Sequence, residues 1–244
     1  MNIKILYSDE NLLVCDKPAG MLVHPTLANE ENALTNWFQK EYPEISNFNW
    51  PDKTRPGVVH RLDKDTSGLV VMAKNLDTLT NLQEQFKNHK IKKLYNALAF
   101  GRIEKEGKVE TEITRGDAGL QKVIETSYSF DTKASRNAIT LYKPIKHYRF
   151  KKDDLTLVEV ELKTGRMHQI RVHLKYIGFP IIGDQLYNIK PSRNLSKILE
   201  LNRQFLHAKH LEFTHPETQN KISFDSPLPD DLTSTLNKIE ETNE

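Results

Sequence analysis

One cysteine, Cys15, stands in 244 residues. A single thiol closes no intramolecular disulfide and builds no multi-cysteine zinc centre, which fits a reducing, cytoplasmic setting. Long apolar runs are missing too. Nothing approaches the roughly 20 residues of a membrane-spanning helix. Asp9 and Glu10 stand where an export signal would carry its apolar core. No sign of charge dominates: 35 Lys and Arg against 33 Asp and Glu leave a net +2, which permits a nucleic-acid partner without demanding one. No Rossmann glycine fingerprint and no Walker A loop occur, so a nucleotide cofactor has no obvious home. Internal repeats and low-complexity tracts are absent as well. What remains is an ordinary globular composition, at a length suited to one large domain or two closely packed lobes.

The patterning predicts many strands and a few helices. Ile3–Tyr7 alternates, Leu12–Cys15 is a buried run, and Met21–Val23 follows the Lys17-Pro18-Ala19-Gly20 turn. A short helix is expected around 32–42. Leu69–Ala73 reads as an apolar strand. Asn75 caps a helix in which Leu76, Leu79, Leu82 and Phe86 recur at helical spacing. From Leu94 to Phe100 the period is two. Further strands are expected at 126–130, 138–143 and 155–162. Met167, Ile170, Leu174 and Ile177 predict an amphipathic helix ending at Gly178. Residues 206–213 and 221–224 read as a hairpin, and 237–244 as a frayed polar end. The expected class is α+β with a largely antiparallel sheet.

Three places carry candidate chemistry. In His60-Arg61-Leu62-Asp63-Lys64-Asp65-Thr66-Ser67-Gly68-Leu69 a carboxylate follows an arginine and an apolar residue. Asp63 is either a turn aspartate bonded to Thr66 or Ser67, or a rigidly held carboxylate that acts as nucleophile or base. Arg61, two residues earlier, projects the same way in an extended segment and favours the charged form. In Lys163–His173, Arg171 flanks the apolar stripe of its helix. It reads as a boundary arginine paired with a surface acid, or as one reaching over the core edge into a cleft. His168 and His173, five apart, share no face, so no metal site is expected. Tyr95 shares its strand face with Ala97 and Ala99. It is a core tyrosine or a platform for a flat base. Lys87, Lys90, Lys92 and Lys93, with His89, form either a solvated face or a phosphate contact.

Together and in order, these elements resemble the RluA-type RNA pseudouridine synthases over essentially the whole chain. The resemblance rests on Asp16–Gly20 with Val23-His24-Pro25, on His60–Leu69, on Lys93–Ala97, on Lys163–His173 and on Pro180–Asp184. Leu206-His207-Ala208 and His215-Pro216 also fit. It implies a mixed α/β catalytic domain, 1–244, around a long antiparallel sheet with a central cleft, here without the small N-terminal RNA-binding module of many relatives. It implies isomerisation of uridine to pseudouridine in ribosomal or transfer RNA, needing no metal or other cofactor. Nothing in the sequence suggests an obligate assembly or protein partner, and a monomer is expected. By the same resemblance Asp63 is the catalytic aspartate, Arg171 its salt-bridge partner, and Tyr95 the base platform and a candidate for the later proton transfer. Arg61 opens the RNA stack, and His60, Thr66, Lys93 and Arg166 join it among the RNA-facing residues.

Two rival readings differ in kind. Asp63-Lys64-Asp65-Thr66-Ser67 approaches the signature of haloacid-dehalogenase-like phosphatases. Its fifth position is serine, however, and His60-Arg61 interrupts the apolar strand such a motif follows. A non-catalytic RNA-binding protein on the same scaffold predicts damage at Asp63, Tyr95 or Arg171, and all three residues are intact.

Overall fold

The computed structural model describes residues 3–26, 30–116, 120–124 and 135–242. The chain forms two compact units, one of Met1–Lys92 with Ala208–Pro227, the other of Lys93–His207 with Leu228–Glu244.

The first unit contains β1 (Lys4–Ser8), β2 (Leu12–Lys17), α1 (Leu34–Glu41), β3 (Ser67–Ala73), α2 (Leu76–Lys87), most of β9 (Leu206–Thr214) and β10 (Lys221–Asp225). The sheet order is β1-β2-β3-β9, with β10 on β9. The β1–β2, β2–β3 and β9–β10 pairs are antiparallel. Every residue of β3 is buried, as a continuous Leu-Val-Val-Met run requires when both faces are covered. Leu69 and Val71 join Leu12, Val14, Leu82, Ile91, Leu211 and Phe213 in one apolar cluster. Asn75 caps α2 as expected, its Oδ1 accepting from the Thr78 amide at 2.9 Å. Gly68 has φ +116°, and a Cβ there would lie 2.3 Å from the Ala208 carbonyl oxygen. Only glycine permits that approach. The expected strand at Met21–Val23 is reduced to a single bridge, Leu22 to Ala33.

The second unit contains β4 (Lys92–Phe100, from Lys93), β5 (Gly107–Arg115), β6 (Gln121–Ile124), β7 (Arg136–Phe150), β8 (Asp153–Leu162), α3 (Gln169–Tyr176), α4 (Lys190–Ile198), α5 (Asp230–Leu236) and β11 (Glu240–Glu241). Its sheet runs β4-β8-β7-β5-β6, with β11 on β7. Each of these pairs is antiparallel. Five α-helices and antiparallel strands among the described residues give the α+β class that the sequence predicted.

Several expectations need correction. Strand β7 runs to Phe150 instead of ending at Lys143. Its register shifts between Pro144 and Lys146, and that bulge accommodates a proline that donates no ladder hydrogen bond. Helix α3 begins at Gln169, two residues late, because His168 is left-handed at φ +56°. Of the polar end expected to fray, residues 237–242 do not. Ile239 is buried, Glu240 and Glu241 pair with Arg149 and Tyr148, and the Thr242 amide bonds the His147 carbonyl at 3.0 Å. The strand expected at 126–130 lies outside the described residues.

A buried polar network underlies α3. His173, with no exposed surface, lies between the Thr140 hydroxyl (Nδ1, 2.9 Å) and the Thr111 hydroxyl (Nε2, 3.0 Å). Gln169 bonds the same Thr140 hydroxyl at 3.0 Å and accepts from the Thr164 hydroxyl at 2.8 Å. Burial depresses the His173 pKa from 6.5 to about 4. Folding therefore favours the neutral ring. This stability is fully present above pH 6.5 and is lost as pH falls toward 4, where the unfolded chain binds the extra proton. The shift corresponds to roughly 3 kcal/mol. Urea unfolding at pH 7 and pH 4 checks this: the wild type should lose that much more stability than His173→Gln across the interval. Equal losses would remove His173 as the cause.

Candidate active site

The Asp63 segment is an irregular loop leading into β3, fixed from several sides. Leu62 is buried beneath it. His60 stacks on Phe86, with ring centroids 4.6 Å apart and planes 23° apart. Its Nε2 accepts the Val71 amide at 3.0 Å. That bond ties the loop to the middle of β3 and gives His60 a positioning task. The Thr66 amide bonds the Asp63 main-chain carbonyl at 3.1 Å, closing the expected turn. Thr66 itself is buried, Asp63 is half-buried and Arg61 is exposed.

Lys17 supplies the strongest anchor, and the sequence did not reveal it. Its side chain is fully buried, and Nζ donates to the carbonyls of Pro18 (2.8 Å), Met21 (2.8 Å) and Lys64 (3.1 Å). The Gly20 amide bonds the same Lys64 carbonyl at 2.9 Å. An ammonium is a compact three-donor group and satisfies a cage of carbonyls without a carboxylate. The residue after Asp63 is thus tied to the end of β2. Beside this loop His24 is buried, and its Nδ1 has no hydrogen-bond partner among the described residues. Burial, then the charges of Arg55 and Arg61, hold its pKa below the ordinary histidine value, against the opposing pull of Asp52. Arg61 and Arg55 are both exposed, and Arg55 pairs with Asp52 at 3.3 Å.

In the second unit Lys93 and Tyr95 occupy one face of β4, and both are buried. Lys93 is not part of the solvated lysine face formed by Lys87, Lys90 and Lys92. Burial lowers its pKa to about 8, opposed by Glu161 and reinforced by Lys163. Tyr95 is only 6% exposed, with Ala97 and Ala99 fully buried along the same face.

Arg171 is also buried. Its Nε and Nη2 donate to the two oxygens of Asp184, at 2.7 and 2.9 Å. Asp184 Oδ1 further accepts the amides of Leu186 (2.8 Å) and Tyr187 (2.9 Å). Burial draws the Asp184 carboxyl upward. The Arg171 guanidinium and the two amides outweigh it and hold the group below the usual carboxylate range. The guanidinium lies over the Tyr187 ring, 5.1 Å from its centroid. The Tyr187 hydroxyl bonds His168 Nδ1 at 3.0 Å and accepts the Gln121 amide at 2.7 Å. Asp184 is a second residue whose task the sequence did not disclose, although it closes the Pro180–Asp184 motif. Arg166 lies at the turn before α3, with Nε on the Asn137 carbonyl at 3.0 Å and its amide on the Gln169 side chain at 2.9 Å.

A profile of the RNA pseudouridylate synthases matches residues 11–176, spanning the Asp63 loop, Tyr95 and Arg171. The chain belongs to this family. A ribosomal large subunit pseudouridine synthase D of Pseudomonas aeruginosa is 37% identical over the whole of this chain and 74% of its own length. An RNA pseudouridine synthase of Bacillus subtilis is 37% identical over 98% of this chain and 73% of its own. The solved human RNA pseudouridylate synthase domain containing 4 is 26% identical, with a TM-score of 0.70 over 98% of this chain and 95% of that one. The human domain containing 1, at 23% identity and a TM-score of 0.75 over 99% and 89%, shares the fold. The RluA-type resemblance is borne out, and the synthase is an isomerase.

Proposed function

We propose that this synthase isomerises uridine in large-subunit ribosomal RNA, with Asp63 as its catalytic carboxylate. The observation that carries the assignment of Asp63 is its loop: a half-buried carboxylate beside an exposed arginine, on a segment fixed by Lys17, His60 and Leu62. Preorganisation of this kind suits a group that must meet a reacting sugar in one geometry. Two of the relatives that the chain matches over most of its length are named for the large ribosomal subunit, which favours ribosomal over transfer RNA.

The reaction conserves every atom. The glycosidic carbon–nitrogen bond breaks, the uracil turns, and a bond forms between the sugar and a ring carbon. That carbon gives up a proton and the released nitrogen takes one. Asp63 acts as an anion, either attacking the sugar or removing a sugar proton. Arg171, its guanidinium oriented by Asp184, serves the same reaction as a fixed positive charge. Arg61 enters the RNA stack from its exposed position. Extruding a nucleotide costs a few kcal/mol, and stacking on Tyr95 offsets about 1–3 kcal/mol of it. Tyr95 serves the closing proton transfer. His60 and Thr66 hold the loop, and Lys93 and Arg166 add positive charge for the RNA. The enzyme works as a cytoplasmic monomer without a cofactor.

The test is a pseudouridine map of ribosomal and transfer RNA from cells with and without the protein, repeated with purified enzyme on large-subunit RNA transcribed in vitro. Pseudouridine at specific large-subunit positions, lost without the protein and restored by the enzyme, is the expected result. Loss confined to transfer RNA would overturn the substrate assignment. No loss in either RNA, with no product in vitro, would overturn the activity.

A further inference from the structure

Helix α4 carries Lys190, Arg193 and Lys197 and no acidic residue. At 100° per residue these three lie within an arc of about 60° and span about 10 Å along the axis. All are exposed, and none forms an ion pair among the described residues. The acid that follows the helix, Glu200, is engaged by Lys238 at 2.8 Å. A merely solvated helix face commonly intersperses opposite charges at i,i+4, and this one does not. Exposed Leu186, Ile189 and Ile198 flank it.

The stripe is also held in relation to Arg171. Asn188 Oδ1 accepts both Nε (2.9 Å) and Nη2 (2.8 Å) of Arg193, which orients that guanidinium. Asn188 Nδ2 donates to the Asp184 carbonyl at 2.9 Å, and the Asp184 carboxylate grips Arg171. One continuous set of hydrogen bonds thus runs from the stripe to Arg171.

We propose that the Lys190–Arg193–Lys197 face of α4 docks the phosphate backbone of the substrate RNA beside the target nucleotide. The proposal rests on the RNA substrate argued above. Positive charges in a row, without acidic neighbours, match a polyanion, and oriented guanidinium groups suit phosphate oxygens.

The test replaces all three residues by glutamine, a good helix former, so the fold is kept. Binding is measured to large-subunit ribosomal RNA transcribed in vitro, over a range of salt concentrations. Affinity at low salt should fall roughly tenfold, and the slope of log affinity against log salt should become shallower by about 2. The single-turnover rate at saturating enzyme should fall by a smaller factor than the affinity, because saturation restores occupancy. Unchanged affinity and slope, with the wild type active, would overturn the docking surface alone. Weakened binding to intact ribosomal subunits with unchanged binding to bare RNA would also overturn it, because the partner would then be protein. A wild type that forms no pseudouridine would instead fail the functional reading.

Discussion

Asp63→Asn should abolish pseudouridine formation, reducing the single-turnover rate by at least about a thousandfold, within the range that essential acid–base and nucleophilic groups contribute. The structure gives reason to expect a clean result. Asparagine has nearly the same shape and removes only the negative charge. The turn depends on the main-chain carbonyl of residue 63, which Thr66 bonds at 3.1 Å, and the anchor from Lys17 reaches the carbonyl of residue 64. His60 and Leu62 hold the approach to the loop without calling on the carboxylate. Circular dichroism and RNA binding should therefore match the wild type. A variant that converts uridine within about tenfold of the wild-type rate would remove Asp63 from the chemistry.

Asp184→Asn should produce the largest loss of stability, about 3–5 kcal/mol. Total stability of natural domains is only about 5–15 kcal/mol. Arg171 and Asp184 are both buried and meet through two parallel hydrogen bonds. Asparagine keeps the size but removes the negative charge that both carboxylate oxygens present to the buried guanidinium. It also weakens acceptance of the Leu186 and Tyr187 amides, which shape the loop into α4. Urea unfolding at neutral pH measures the effect. A loss below about 1 kcal/mol would mean that Arg171 finds water or another acid when Asp184 is neutral.

The sequence made the loop from His60 to Leu69 legible because its signals are local: a turn, an arginine at i−2 and an apolar run that becomes β3. Tyr95 was legible as a strand residue among alanines, but its degree of burial was not, because burial depends on what covers the strand. Lys17 and Asp184 were hidden for a related reason. A lysine or an aspartate next to a turn normally reads as solvated, and only tertiary closure shows carbonyls or a guanidinium gathered around it. Strand β5 alternates Val109, Thr111 and Ile113 inward, yet its threonine and glutamates obscured the period. Helix α4 was missed because Pro191, two serines and an asparagine argue against a helix. The Ser192 side chain supports it instead, bonding both the amide and the carbonyl of Ile189. The tail after Asn237 looked solvated because its one buried apolar residue, Ile239, has few apolar neighbours in sequence.

The Lys17 cage has a consequence for how substrate enters. Hydrogen bonds from a charged donor contribute about 1.5–3 kcal/mol each, and three converge on this one nitrogen. Swinging the Asp63 loop outward would break the bond to Lys64 and leave a buried ammonium undersatisfied. Such a local opening costs about 1.5–3 kcal/mol from this bond alone, enough to keep the open form below about a tenth of the molecules. The loop is therefore no gate. The Thr66 amide proton, bonded to the Asp63 carbonyl, should exchange more slowly than that of a free loop amide. The nucleotide has to come to a fixed carboxylate, so the motion in the catalytic cycle falls to the RNA.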